Sequence, residues 1–228
     1  MQKKPAKTPV HRPPPPQHVR IIGGAWKRTQ LPVLDALGLR PTPDRVRETV
    51  FNWISHQWGN DWSAAVVLDL FAGSGALGFE AASRGARSVV MVDAHTPVVR
   101  QLEVIKDKLA ADAVTLVRAD ALATAQSMVL RGQRFDLVFL DPPYQQAMLE
   151  KVLPLCAGLL NDNALVYVES GAALPFGADS DADNHAENHH DSGALAGAAT
   201  PHWLAPWEAI RADKAGIVFY QLLRLRAA

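Results

Sequence analysis

The chain of 228 residues contains a single cysteine, Cys156, which excludes a disulfide framework and any zinc site built from several cysteines. No apolar run approaches the roughly 18 residues of a membrane-spanning helix, so no transmembrane segment and no membrane partner are expected. The basic N-terminus has prolines where a secretory signal would have an apolar stretch. Net charge is missing as well, since 23 Lys and Arg balance 23 Asp and Glu. What remains is the expectation of a cytoplasmic, monomeric protein, with 48% apolar residues to build one core of ordinary size.

The zero net charge is a sum of unequal parts. Residues 1–60 carry ten basic and three acidic side chains, a charge of +7, which leaves 13 basic and 20 acidic residues in the remainder. Such polarity suits a polyanion-facing arm, although a solubilising tail explains the first 18 residues equally well. Residues 1–18 hold Pro5, Pro9 and Pro13 to Pro16 among lysines and histidines, and with little to bury they read as a disordered tail. Order is expected from Val19. Thr42 is placed to cap a helix with Pro43 in its first turn, and Val46, Val50, Trp53 and Ile54 give that helix one apolar face. Residues 19–62 therefore read as an extension preceding a main domain at 63–228.

From residue 64 the pattern changes. Apolar runs at 64–71, 88–93, 114–120, 135–141 and 164–170 alternate with helical stretches at 76–84, 97–110, 121–131 and 146–160. Crossover units of this kind predict an α/β fold with a parallel sheet covered on both faces. Two strand-like runs within 207–225 flank Asp213 to Gly216 and predict an antiparallel hairpin at one edge. Residues 175–203 are acidic, His-rich and small, and read as a disordered insertion. Its His185, His189 and His190 lack the spacing of a rigid ligand set, so no metal is assigned.

The first chemical motif, Asp69-Leu70-Phe71-Ala72-Gly73-Ser74-Gly75-Ala76-Leu77-Gly78, follows the first strand of this series and opens a helix. Gly73 and Gly75 permit unusual backbone angles, and the helix amides would face a ligand. Gly73, Gly75 and Gly78 match the dinucleotide pattern literally, with Asp93 twenty residues past Gly73, so NAD binding is a contender. Asp69 shifts the balance. A carboxylate there would repel a pyrophosphate, but it suits the amine and sulfonium of S-adenosyl-L-methionine. Asp93 could then take ribose hydroxyls, and Asp120, at the end of the third strand with Ala121, could reach the adenine amine. Each acid could alternatively cap a helix.

The second motif, Asp141-Pro142-Pro143-Tyr144, closes the fourth strand of the series. The prolines remove backbone donors and stiffen the loop, leaving the Asp141 carboxylate and the Pro142 carbonyl as fixed acceptors. Tyr144 offers a face for stacking a nucleobase. An exocyclic base amine needs this equipment, because two acceptors on its N–H groups localise electron density on nitrogen for in-line attack on a methyl group.

Together these motifs resemble an amino-group methyltransferase dependent on S-adenosyl-L-methionine. With Arg20-Ile21-Ile22-Gly23-Gly24, Trp26-Lys27-Arg28, Leu39-Arg40-Pro41-Thr42 and the run Asp44 to Trp53, the chain closely resembles the bacterial RsmD family of 16S ribosomal RNA guanine-N2 methyltransferases. The resemblance implies a Rossmann-like class I methyltransferase domain with a seven-stranded, mostly parallel sheet. It implies that Asp69, Phe71, Gly73, Ser74, Gly75 and Leu77 hold the cofactor, with Asp93 and Ala94, and Asp120 and Ala121. Asp141, Pro142, Pro143 and Tyr144 would act on the base. Arg20, Lys27, Arg28, Arg40, Arg45 and Arg47 would contact RNA phosphates, with 16S rRNA in a small-subunit assembly particle as partner. The four tryptophans Trp26, Trp53, Trp58 and Trp62 read as packing residues. N6-adenine methylation, a NAD-dependent oxidoreductase and a non-catalytic RNA-binding assembly factor are the competing readings.

Overall fold

A computed structural model describes residues 18–34, 42–143, 147–176 and 200–227. The chain enters through an antiparallel ribbon, β1 (His18–Arg20) and β2 (Gln30–Pro32), followed by helix α1 (Asp44–Gln57). Strand and helix then alternate: β3 (Val66–Asp69), α2 (Ala76–Ser83), β4 (Ser88–Asp93), α3 (Thr96–Leu109), β5 (Val114–Arg118), α4 (Ala121–Leu130), β6 (Phe135–Leu140) and α5 (Met148–Cys156). The chain closes with β7 (Leu160–Ser170), β8 (Trp207–Ala215) and β9 (Val218–Leu225). The seven strands β3 to β9 form one sheet in the order β5-β4-β3-β6-β7-β9-β8. β3 to β7 are parallel, whereas β9 runs antiparallel to both of its neighbours, β7 and β8. The C-terminal hairpin expected from the sequence thus extends the sheet beyond β7, with its second strand on the inside. β7 starts four residues before the expected strand, because a single 3-10 turn at 157–159 ends the helix early.

Side chains alternate across the sheet and fill two cores. Val67, Met91, Phe139 and Tyr167 lie beneath α1, α2 and α3, whereas Leu68, Val92, Val138 and Val168 lie beneath α4 and α5. Every residue of α2 is buried, which one sheet face alone cannot achieve for a helix. The N-terminal extension supplies the second cover. Val19, Ile21, Leu31 and Val33 belong to the same core as the sheet, as do Val46, Val50, Phe51, Ile54 and Trp62, so the described residues of the extension pack as part of it.

The attachment is specific. Glu80, with no exposure at all, accepts hydrogen bonds from the amides of Ile22 (2.6 Å) and Gly23 (2.8 Å), and Arg84 Nε lies 2.8 Å from the same carboxylate. Ser83 Oγ accepts from the Trp26 amide at 2.9 Å and donates to the Gly23 carbonyl at 2.6 Å. Gly24 has φ +74°, and a Cβ there would stand 1.8 Å from the Ser83 carbonyl oxygen, so no larger residue fits the approach.

Several expectations change. Thr42 does not cap α1: Pro43 occupies the cap position, and the Thr42 hydroxyl donates to Glu169 at 2.6 Å. His18, one residue before the expected start of order, pairs with Pro32. The ends of the stretch expected to be disordered at 175–203 are packed, with Phe176 and Trp203 partly buried against the core. Residues 177–199 and the tail before His18 lie outside the described residues. The tryptophans of the extension do pack: Trp62 Nε1 donates to Ser55 Oγ at 3.0 Å, Trp58 meets Trp62 edge-on, Trp53 stacks on Tyr220, and Trp26 lies against the core. Among the described residues no helix is long and apolar enough to cross a membrane.

Glu80→Ala leaves two half-buried amides and the half-buried Arg84 guanidinium without their carboxylate. It should lower stability by about 3 kcal/mol in urea unfolding. An unchanged midpoint would show that the extension docks without this carboxylate.

Candidate active site

Strand register brings the acids together. Asp69 pairs with Met91 of β4 and with Phe139 of β6, and Phe139 pairs with Tyr167 of β7. Two residues further along, on the same face of the sheet, come Asp93, Asp141 and Glu169. All four carboxylates therefore stand at the carboxyl ends of parallel strands, where open α/β sheets bind ligands.

The glycine loop is built around two of them. Asp69 is buried and accepts hydrogen bonds from the amides of Phe71 (3.3 Å) and Gly78 (3.2 Å). Burial pushes its carboxyl up to about 7, with the charge of Asp93 adding to the shift and the two amides opposing it. Asp93 accepts from the Gly73 amide (3.1 Å) and the His95 amide (2.8 Å), with the His95 ring 3.1 Å away. Gly73 and Gly75 have φ of +51° and +79°, and a Cβ at Gly73 would meet nothing nearer than the Phe71 carbonyl oxygen at 3.9 Å. A Cβ at Gly75 would meet Leu102 and Phe79 at 2.7 Å, and one at Gly78 would meet Met91 at 2.7 Å. The third glycine of the literal dinucleotide pattern thus serves the contact between α2 and β4. Phe71 and Ser74 are half-buried beside the loop, Leu77 is buried within α2, and Ala94 is exposed next to Asp93. Asp120 caps α4 by accepting from the Ala123 amide at 2.9 Å, and Ala121 is buried behind it.

Asp141 keeps some exposure beyond β6, with Pro142 buried and Pro143 exposed. Burial, then the charges of Glu169 and Asp69, hold its carboxyl well above the usual carboxylate range. Tyr144 lies outside the described residues. A cleft of about 510 Å³ opens between the two prolines, the start of α5 and residues Glu169 to Pro175, with Trp203 on its far wall.

Glu169 escaped the sequence reading. Its carboxylate is buried and accepts from the hydroxyls of Thr42 (2.6 Å) and Tyr167 (2.8 Å). Burial raises its carboxyl, while those hydroxyls and the Arg47 guanidinium oppose the shift. The available signal was an acid one residue before the end of the run ALVYVES, close to where acids end the other apolar runs.

The basic residues divide. Lys27, Arg28 and Arg45 are exposed, and Arg20 is exposed while paired with Asp44 at 2.6 Å. Arg40 lies outside the described residues. Arg47 is a correction to the expected phosphate-contacting surface. It has no exposure, and its guanidinium donates to the carbonyls of Arg20 (2.7 Å) and Thr42 (3.3 Å) and to Asp44 (2.5 Å). It is spent on fixing the extension, because an unpaired guanidinium could not be buried there.

A family profile described as conserved hypothetical protein 95 matches residues 19–181. The ribosomal RNA small subunit methyltransferase D of Escherichia coli strain K12 is 42% identical over 154 residues, covering 67% of this chain and 74% of that protein. Its counterpart in Haemophilus influenzae is 40% identical over 167 residues, covering 69% and 81%. The solved structure of the Escherichia coli methyltransferase yhhF superposes with a TM-score of 0.68 and 33% identity, covering 93% of this chain and all of that one. The profile match and these identities give one answer: the chain belongs to the RsmD family of ribosomal RNA small-subunit methyltransferases.

Proposed function

We propose that the protein transfers a methyl group from S-adenosyl-L-methionine to the exocyclic N2 amine of a guanine in 16S ribosomal RNA. By family resemblance the target is guanine 966, modified in the cytoplasm during small-subunit assembly. The observation that carries this reading is Asp141 beyond the end of β6, within reach of the charge of buried Asp69 and followed by Pro142 and Pro143, which line a cleft of ligand size.

The residues present fit the cofactor. Asp69 is a buried carboxylate whose described hydrogen-bond partners are two amides, which suits it to a cationic amine, and a Cβ at Gly73 would come no closer than 3.9 Å to the nearest atom, the Phe71 carbonyl oxygen. Asp93 would take ribose hydroxyls. When bound, S-adenosyl-L-methionine supplies a methyl group made electrophilic by its sulfonium. The protein's share concerns the acceptor amine. The Asp141 carboxylate and the Pro142 carbonyl accept its two N–H bonds, which turns the nitrogen lone pair outward and holds the base in one plane. Asp141 then takes the proton that the amine loses as it gains carbon. A carboxylate with a raised pKa is a better proton acceptor than an ordinary one. The amine is reached only if the base is unstacked. Lys27, Arg28, Arg45 and Arg20 would bind phosphates around it.

Particles lacking the modification, incubated with labelled cofactor and digested to nucleosides, should yield N2-methylguanosine. N6-methyladenosine in its place would overturn the reading. Asp141→Asn should lower kcat by about a hundredfold or more, with cofactor affinity within a few-fold of the parent protein's.

Cofactor binding should also report on Asp69. Its carboxyl sits near 7 in the free protein and must ionise to meet a cationic amine. Affinity should therefore weaken as pH falls through about 7, with a proton released on binding. Calorimetry in buffers of different ionisation enthalpy measures that proton. Asp69→Asn should bind more weakly and release none.

A further inference from the structure

The guanine-N2 reading leaves one carboxylate of the site unused. Glu169 directly follows Val168, and Val168 is paired with Leu140, the residue before Asp141. Asp141 and Glu169 thus stand side by side across one interstrand spacing, about 4.8 Å, on the same face of the sheet. Glu169 lines the cleft that Pro142 and Pro143 open onto. Both hydroxyls that reach it, from Thr42 and Tyr167, donate to the same oxygen, Oε1, which fixes the orientation of the carboxyl group. Burial raises its carboxyl, and the two hydroxyls and then the buried Arg47 guanidinium oppose that rise.

The edge of guanine that carries the N2 amine presents two neighbouring donors, N1–H and N2–H. Adenine presents an acceptor, N1, beside its amine. Meeting two N–H donors requires both carboxyls to give up their protons against the upward push of burial and mutual repulsion, and two ionised carboxylates are acceptors only. Side by side they match a donor–donor edge and oppose a donor–acceptor edge.

We propose that Glu169 is the residue that selects the base: it accepts the guanine N1–H while Asp141 accepts from the N2 amine, and its lone pairs repel a ring nitrogen that carries no proton. This inference rests on the guanine-N2 reading. A purely structural role, in which Glu169 only ties Thr42 and Tyr167 to β7, would be served equally well by glutamine, which keeps the Oε1 acceptor. A glutamine could also donate its amide N–H to an unprotonated N1.

2,6-Diaminopurine separates the two roles, since it keeps the N2 amine of guanine but has an unprotonated N1. Particles reconstituted with either base at the target position are compared for kcat/KM. The parent protein should prefer guanine by about a hundredfold or more, and Glu169→Gln should narrow that preference at least about tenfold. Equal use of the two bases by the parent protein, or an unchanged preference in the variant, would overturn the proposal. If the variant transfers no methyl group to either base, the same ratio is read from competition of the two particles for protein loaded with S-adenosylhomocysteine. There too an unchanged ratio counts against Glu169. A parent protein that leaves guanine unmodified refutes the function itself, and the wild-type arm alone reveals that.

Discussion

Mutual repulsion among buried carboxylates is the constraint to which the rest of this structure answers. Asp69, Asp141 and Glu169 share one face of a parallel sheet at its carboxyl edge, and each raises the cost of ionising another or is itself raised by burial. A parallel sheet makes such a row unavoidable once acids terminate adjacent strands at matching register. The protein meets the cost with donors: two amides on Asp69, two amides on Asp93, and two hydroxyls plus a nearby guanidinium on Glu169. Among the described residues Asp141 has the least local compensation. Under the proposed function, that deficit is met by the amine of the substrate base.

The N-terminal extension belongs to the same solution. Its backbone docks on Glu80 of a helix that would otherwise leave a face uncovered, and its α1 brings Thr42 and Arg47 to Glu169. Arg20, Asp44 and Arg47 form a short chain of ion pairs and a carbonyl contact that runs from the surface to this buried carboxylate. Part of the positive charge of residues 1–60 is therefore internal and neutralised, and the exposed positive surface is smaller than the composition suggests.

The alternation of apolar runs was enough to read the parallel sheet and the terminal hairpin, because strands buried on both faces leave a pattern that helices do not. The glycine loop, Asp93 and Asp141-Pro142-Pro143 were legible for the same kind of reason, being local in sequence. Partnerships over long distances were not. Nothing near Thr42 indicates that its hydroxyl reaches Glu169 instead of the helix it precedes. Nothing near Arg47 distinguishes it from exposed Arg45, since both lie on one helix and only the tertiary fold decides which flank is covered. The ribbon β1–β2 was missed because three-residue strands are too short to show a period.

The bond between Thr42 and Glu169 has one more consequence, and it concerns time. It joins positions 127 residues apart in sequence, whereas Gly73 and Asp93, which form the loop end of the site, are only 20 apart. During synthesis the glycine loop can close soon after β4 emerges. The carboxylate pair at β6 and β7 acquires its Thr42 and Arg47 partners only after the chain through residue 169 is available. The two halves of the site thus mature at different stages of translation, and the nascent chain has its base-side geometry only after Glu169 has been made.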